Sequence, residues 1–181
     1  LTGAIEVDEE GIGKIFNSKF TNNYGKYGGA ISNYNQLLAY NLTFENNSAE
    51  IGGAILSDGN TTILNSQFYL NNATYGAAIA IESNNTVVNN TLFLLNNANT
   101  CGGAIYCNAS DFEILNSNFS FNTANYTGGA ITVAHDIDAN GLVSNCNFNN
   151  NTAEIGGAIN WGGNNGHVTL SKFSNISDIE S

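Results

Sequence analysis

The sequence predicts an all-β chain wound as a single-stranded parallel β-helix, a solenoid of about seven coils with three short strands in each. Three observations predict it. Gly-Gly-Ala-Ile recurs at 28–31, 52–55, 102–105, 128–131 and 156–159, with variants at 2–5 and 76–79. A Phe follows each copy, at Phe20, Phe44, Phe68, Phe93, Phe119, Phe148 and Phe173, and the steps between them are 24, 24, 25, 26, 29 and 25 residues. The segments between are short, β-branched or aromatic, and bounded by Gly, Asn, Ser and Asp, which is strand-and-turn punctuation and not that of helices. Two-helix repeats need longer periods, and the Leu pattern of leucine-rich repeats is absent.

The elements follow in order around a coil. In the coil that starts at Gly102, strands are expected near 102–107, 112–115 and 117–121. Coils stack at the strand spacing of ~4.8 Å, so seven make a rod of roughly 34 Å. Stacking sets equivalent residues above one another. Ile31, Ile55, Ile79, Ile105, Ile131 and Ile159 then form one apolar column, and Phe20, Phe44, Phe68, Phe93, Phe119 and Phe148 another, where rings can stack offset. Three residues past these Phe stand Asn23, Asn47, Asn71, Asn96, Asn122 and Asn151; three before them stand Asn17, Asn41, Asn65, Asn90, Asn116 and Asn145. Both sets are expected at corners, where a buried amide can satisfy backbone groups freed from the sheets and where Asn tolerates left-handed dihedrals. The Gly pair and Ala fit either a wall that receives Phe rings from across the coil or a smooth outer face.

Composition restricts the function. The chain has 181 residues, a net charge of −11, no Arg, and only Lys14, Lys19, Lys26 and Lys172 as cations. Nucleic-acid binding needs many phosphates neutralised by Lys and Arg, and an anionic membrane surface is disfavoured on the same ground. No apolar run reaches the 18 or so residues of a membrane span. Asn supplies 34 residues, taking the place of the usual charged surface. Cys101, Cys107 and Cys146 show no metal-ligand spacing and read as small hydrophobes.

The paired Gly-Gly-Ala-Ile and Phe-x-x-Asn repeats resemble the polymorphic outer-membrane proteins of chlamydiae, and the Asn-rich, Arg-poor wording is similar to the β-helical adhesin-like surface proteins of methanogenic archaea. The resemblance implies right-handed winding, an extracellular, cell-surface location and a role in adhesion, with a host or neighbouring cell surface, glycan or protein as partner. On this reading 1–181 is a single β-helix domain and a piece of a longer repeat protein. Signal peptide, translocator or wall anchor would lie elsewhere in that parent. The alternative is a structural protomer whose copies stack end to end into a filament or layer, since a bare end coil is an unpaired strand edge.

Catalysis is not expected. His135 and His167 fall in different coils, and Glu50 and Glu154, although matched in position, are separated by four coils. That is roughly 19 Å, beyond the ~5–9.5 Å used by paired carboxylates in glycoside hydrolysis. Binding is expected instead in the turns that do not repeat, "SNYNQ", "SDGNTT", "ESNN", "CNASDF", "AHDIDANG" and "WGGNNGH", all on one side of the rod. Tyr34, Tyr106, Trp161 and His167 lie in or beside them and are candidates for sugar contact, with half-buried packing as the competing role of Trp161. Asp136, Asp138 and Asn140, followed by Gly141, read as the first half of a Ca²⁺ loop that lacks its bidentate acid. They are a weak Ca²⁺ candidate or an acidic turn insertion, and no other cofactor is expected. Eleven N-x-Ser/Thr sequons occur; Asn60, Asn84, Asn108 and Asn125 on turns are glycosylation candidates, whereas Asn41 sits in a ladder column that leaves no room for a glycan.

Overall fold

A computed structural model describes residues 3–135 and 138–179. Among the described residues every regular element is a β-strand, and all pairings are parallel between successive coils. Three seven-stranded sheets run the length of the rod. In the fifth coil their strands are Ile105–Cys107, Phe112–Leu115 and Asn118–Ser120, shorter than expected at the first and third. A fourth sheet of five strands begins with Asn72–Tyr75 and ends with Ser177–Asp178. Single bridges at Tyr24, Tyr27, Ser48 and Ile51 carry its register into the first two coils. Each coil thus has three to four strands, on sheets numbered here I to IV in chain order.

The core is built of columns. Ile31 pairs with Ile55, Ile55 with Ile79 and Ile105 with Ile131, all fully buried. Ring centroids of the Phe column are 4.6–5.1 Å apart with interplanar angles of 2–9° from Phe20 to Phe173. The coil spacing imposes this stacking; burial of the rings, worth ~1.5–3 kcal/mol each, supplies most of the energy. Sheet III shows why the rings point inward, since each Phe is flanked by strand neighbours on the opposite face, as in Gln67, Phe68 and Tyr69.

The two Asn columns solve different problems. The set after the Phe is buried: Asn71 Oδ1 accepts from the backbone N–H and Nδ2 of Asn47, both at 3.0 Å, while Asn71 Nδ2 donates to the Phe44 carbonyl and to Asn96 Oδ1. The set before the Phe is exposed, not buried as a corner amide. Asn41, Asn65, Asn90, Asn116 and Asn145 have φ of 50–54°, and Asn41 donates to Asn17 and Asn90 to Asn65 across the surface, at 2.7 Å each. Asn is there because its side chain tolerates the left-handed region. The Gly pair fits neither expectation. Gly28, Gly52, Gly76, Gly102, Gly128 and Gly156 have φ of 55–67°. A Cβ on Gly52 would collide with the Ile55 carbonyl, so the first Gly makes the sharp turn from sheet IV into sheet I.

That turn matters for the site. It folds the residue before the Gly back over the outside of sheet I, so Ile31–Asn33, Ile55–Ser57 and Ile79–Ile81 are buried at all three positions. Ser32 Oγ donates to the Tyr27 carbonyl at 2.8 Å and Thr132 Oγ1 to the Thr127 carbonyl at 2.7 Å, fastening the overlay.

Candidate functional site

The overlay leaves a longitudinal groove. One bank is the column Tyr27, Ile51, Tyr75, Cys101, Thr127 and Ile155, bridged coil to coil. The floor is the outer side of sheet I, where Leu56 pairs with Ala80 and Ala80 with Tyr106. The other bank is the variable turn between sheets I and II. There the backbone N–H groups of Tyr34, Asp58, Glu82 and Asn108 bond to the third strand residue of the coil before, which sets these four side chains in one column. Tyr27, Tyr34, Ile51, Leu56, Asp58 and Glu82 line about 390 Å³ of this groove. An adjoining recess of about 520 Å³, lined by Glu6, Asp8, Glu9, Glu10 and Tyr34, continues it into the first coil.

Its electrostatics are those of a partly dry, negative surface. Burial raises the Glu82 carboxyl above its ordinary value and the charge of Asp58 adds to this, while a 2.9 Å hydrogen bond from Asn108 Nδ2 opposes it. Burial, then Glu6 and later Asp58, push the Tyr34 phenol up. Burial, then Glu82, do the same to Tyr106. These couplings link Tyr34 to Tyr106 through Asp58 and Glu82 across three coil steps, ~14 Å. The Tyr106 ring also lies 5.4 Å from that of Tyr75. The one cation at the bank, Lys26, sits with Nζ 5.1 Å from the Tyr27 centroid. The groove can therefore offer aromatic faces and apolar floor to a flat ligand and carboxylate and amide oxygens to its hydroxyls.

The structure places Tyr34 and Tyr106 along the same face three coils apart and leaves the other two candidates elsewhere. Trp161 ends the last strand of sheet I, pairs with Val133 and faces the interior; its ring is 5.8 Å from Phe112 and its Nε1 is buried without a partner. With Ile159, Val168, Phe173 and Ile176 it lines a recess of about 810 Å³ on the face of the last coil, so packing accounts for it. His167 is exposed on sheet II, next to Leu142. Sequence reasoning missed Tyr27, Tyr75, Asp58 and Glu82. The signal for the tyrosines was their place just before each Gly, and for the acids their matched offset of three residues from Ile55 and Ile79.

Of the Ca²⁺ candidates, Asp136 lies outside the described residues. Asp138 and Asn140 are exposed on either side of buried Ala139, and Asp138 accepts a 3.3 Å hydrogen bond from Asn164. Asn60, Asn84, Asn108 and Asn125 are all exposed. Asn84 Oδ1 caps the backbone of Ser110 and Asp111, and the Asn108 amide is engaged with Glu82. Asn41 is exposed too, contrary to the crowding expected of it. Cys101, Cys107 and Cys146 are free thiols, the last two buried. Burial pushes the Cys107 and Cys146 thiols up, as expected of inert packing residues.

A parallel solenoid with a lateral groove defines a class of protein. The family model for the Chlamydia polymorphic membrane protein repeat matches residues 41–58, a span holding Phe44, the Asn47 ladder residue, the Gly52 turn and Asp58 of the groove bank. No curated protein and no solved structure matches the chain significantly. No helix among the described residues is long and apolar enough to cross a membrane.

Proposed function

We propose that this chain is the rod of an extracellular, adhesin-like surface protein, and that the groove along sheet I holds an extended saccharide of a host or neighbouring cell. The observation that carries the reading is the stacked column of Tyr34, Asp58, Glu82 and Asn108 facing Tyr27 and Ile51 over an apolar floor. A pyranose advances an extended chain by about the rise of one coil, so successive sugars meet equivalent banks. The acids and the absence of Arg favour neutral or amino sugars over sialylated or sulfated ones. The groove acts by binding, with no chemistry performed. The match to a membrane-protein repeat supports the surface location.

A glycan array tests this. Neutral or amino-sugar chains should be retained, and Tyr34→Ala or Tyr106→Ala should lose them while Trp161→Phe keeps them. Binding only of sulfated or sialylated chains, or binding indifferent to both tyrosines, sinks the reading. Asp58 and Glu82, one coil apart, also merit a reducing-end assay on any bound glycan; sugar release abolished by Glu82→Gln would make the groove hydrolytic.

A further inference from the structure

The corner between sheets III and IV is occupied, coil by coil, by Asn22, Asn46, Leu70, Leu95, Phe121, Asn150 and Asn175, all with φ of 50–57°. At the ends of the rod the corner is polar, and Asn46 Nδ2 donates to Asn22 Oδ1 at 2.6 Å. In the three middle coils bulky side chains hold a left-handed backbone that Asn holds at less cost. They contribute nothing to the core, being 42%, 40% and 49% exposed. Leu94 and Tyr69 stand next to them on the outer side of sheet III. The same coils carry no charge across sheets III and IV: residues 64–76, 89–104 and 115–130 contain no Asp, Glu, Lys or Arg, in a chain of net charge −11. The corresponding stretches of the outer coils contain Lys19, Lys26, Glu45, Glu50, Glu154, Lys172 and Asp178. An exposed, uncharged apolar ridge held in a disfavoured backbone marks a contact surface.

We propose that this ridge pairs two copies of the chain side by side and antiparallel, about a two-fold axis at Leu95. The order Asn-Asn-Leu-Leu-Phe-Asn-Asn is symmetric about Leu95 in its polar and apolar pattern. Turning one rod end for end sets Leu95 on Leu95, Leu70 on Phe121 and Asn46 on Asn150, the self-complementarity that a two-fold interface requires. The neutral middle coils let two strongly acidic rods meet without desolvating like charges. A parallel pairing sets each outer coil against its own copy, so the coil of Glu45 and Glu50 meets itself. The antiparallel one sets the coil of Lys26 against that of Asp178 on sheet IV, and leaves Glu50 against Glu154 there and Lys19 against Lys172 on sheet III as like-charge pairs. Three side chains fall short of the ~800 Å² per partner of a stable interface, so the pairing is weak in solution and acts where rods meet end for end at high effective concentration, as between two apposed surfaces.

Sedimentation equilibrium of the full chain across concentration should show a monomer–dimer equilibrium strengthened by salt, which screens Glu50 and Glu154. The L70N/L95N/F121N variant, which copies the Asn of the other coils and so folds, should dimerise at least about tenfold more weakly with an unreduced melting temperature. In a Cys101→Ser background, Leu95→Cys should cross-link to itself, whereas Leu70→Cys should cross-link only when mixed with Phe121→Cys. A chain monomeric at every concentration, a dimer indifferent to the three Asn substitutions, or Leu70→Cys self-linking as readily as Leu95→Cys overturns the proposal; the first outcome would leave the ridge to a different partner.

Discussion

Replacing Asn96 by Ala should cost the fold about 3–7 kcal/mol, although it removes only a small polar side chain. Asn96 Oδ1 is the acceptor for both the backbone N–H and the Nδ2 of Asn71, and Asn96 Nδ2 donates to the Phe68 carbonyl at 3.1 Å and to Asn122 Oδ1 at 3.0 Å. Asn71, Asn96 and Asn122 are fully buried, so water cannot replace the lost partners. After truncation the buried Asn71 N–H loses its acceptor, at ~1–3 kcal/mol for a stranded group, while the Phe68 carbonyl loses one donor but stays in the sheet III ladder, where Tyr69 pairs with Leu94. Asn71 Nδ2 keeps its bond to Phe44 and Asn122 Oδ1 its bond from the Asn96 backbone N–H, so the bonds lost at the Phe68 carbonyl, Asn71 Nδ2 and Asn122 Oδ1 add the smaller net value of an ordinary hydrogen bond, ~0.5–1.5 kcal/mol each. Asn is the residue that fits because it carries two donors and an acceptor on a short stem; Asp would lack the donors, and Leu would leave the same backbone groups unpaired. Urea unfolding followed by far-UV circular dichroism measures the loss, with the slope compared between variant and parent because a solenoid can unfold in segments. A loss below about 1 kcal/mol with an unchanged slope would refute the view that this ladder is a buried structural element.

Three further outcomes are expected. Phe93→Ala, which removes a fully buried ring stacked at 5.0 and 4.6 Å on both sides, should cost about 3–5 kcal/mol by urea unfolding, and Phe173→Ala, 49% exposed with a partner at 4.8 Å, clearly less. Because Glu82 is raised in the folded chain, chiefly by burial, the folded state holds its proton more tightly; stability should fall as pH rises through the carboxylate range up to that raised value, and Glu82→Gln should flatten this part of the melting profile. The melting temperature should be the same in millimolar Ca²⁺ and in chelator, because Asp138 is already engaged by Asn164 and the twelfth-position acid of a Ca²⁺ loop is missing; a rise in Ca²⁺ that Asp138→Asn abolishes would restore the site.

The architecture was legible because stacking turns sequence period into spatial contact. Phe93 sits on Phe68 and under Phe119 for the same reason that it follows one and precedes the other by about one repeat, and the Ile columns follow likewise. Corner chemistry was harder to read. Asn90 and Asn96 look equivalent as letters, but one answers a backbone dihedral at the surface and the other answers unpaired backbone in the interior, and only the path of the chain distinguishes them. The groove was half legible. Tyr34 and Tyr106 stood out as aromatics near turns, whereas Tyr27 and Tyr75 precede Gly and read as part of the repeat until the left-handed Gly folds them over sheet I. Trp161 misled for the opposite reason: a conspicuous residue beside a turn, it points inward, because the third position of each sheet I strand faces the core.

The same contrast separates scaffold from function along the rod. The inward Ile, Phe and Asn columns answer demands that recur in each coil, so their residue types recur as well. Outward columns face no such demand, and there a departure from the repeat has to be explained by something outside the coil. Two departures are coherent over consecutive coils. Tyr34, Asp58, Glu82 and Asn108 build one wall of a groove, and Leu70, Leu95 and Phe121 replace Asn at a corner where Asn is the easier residue. The groove borders sheet I and the ridge lies between sheets III and IV. Lateral pairing through the ridge would therefore leave the groove of each copy open, and a pair joined end for end would present two sets of binding sites without altering either.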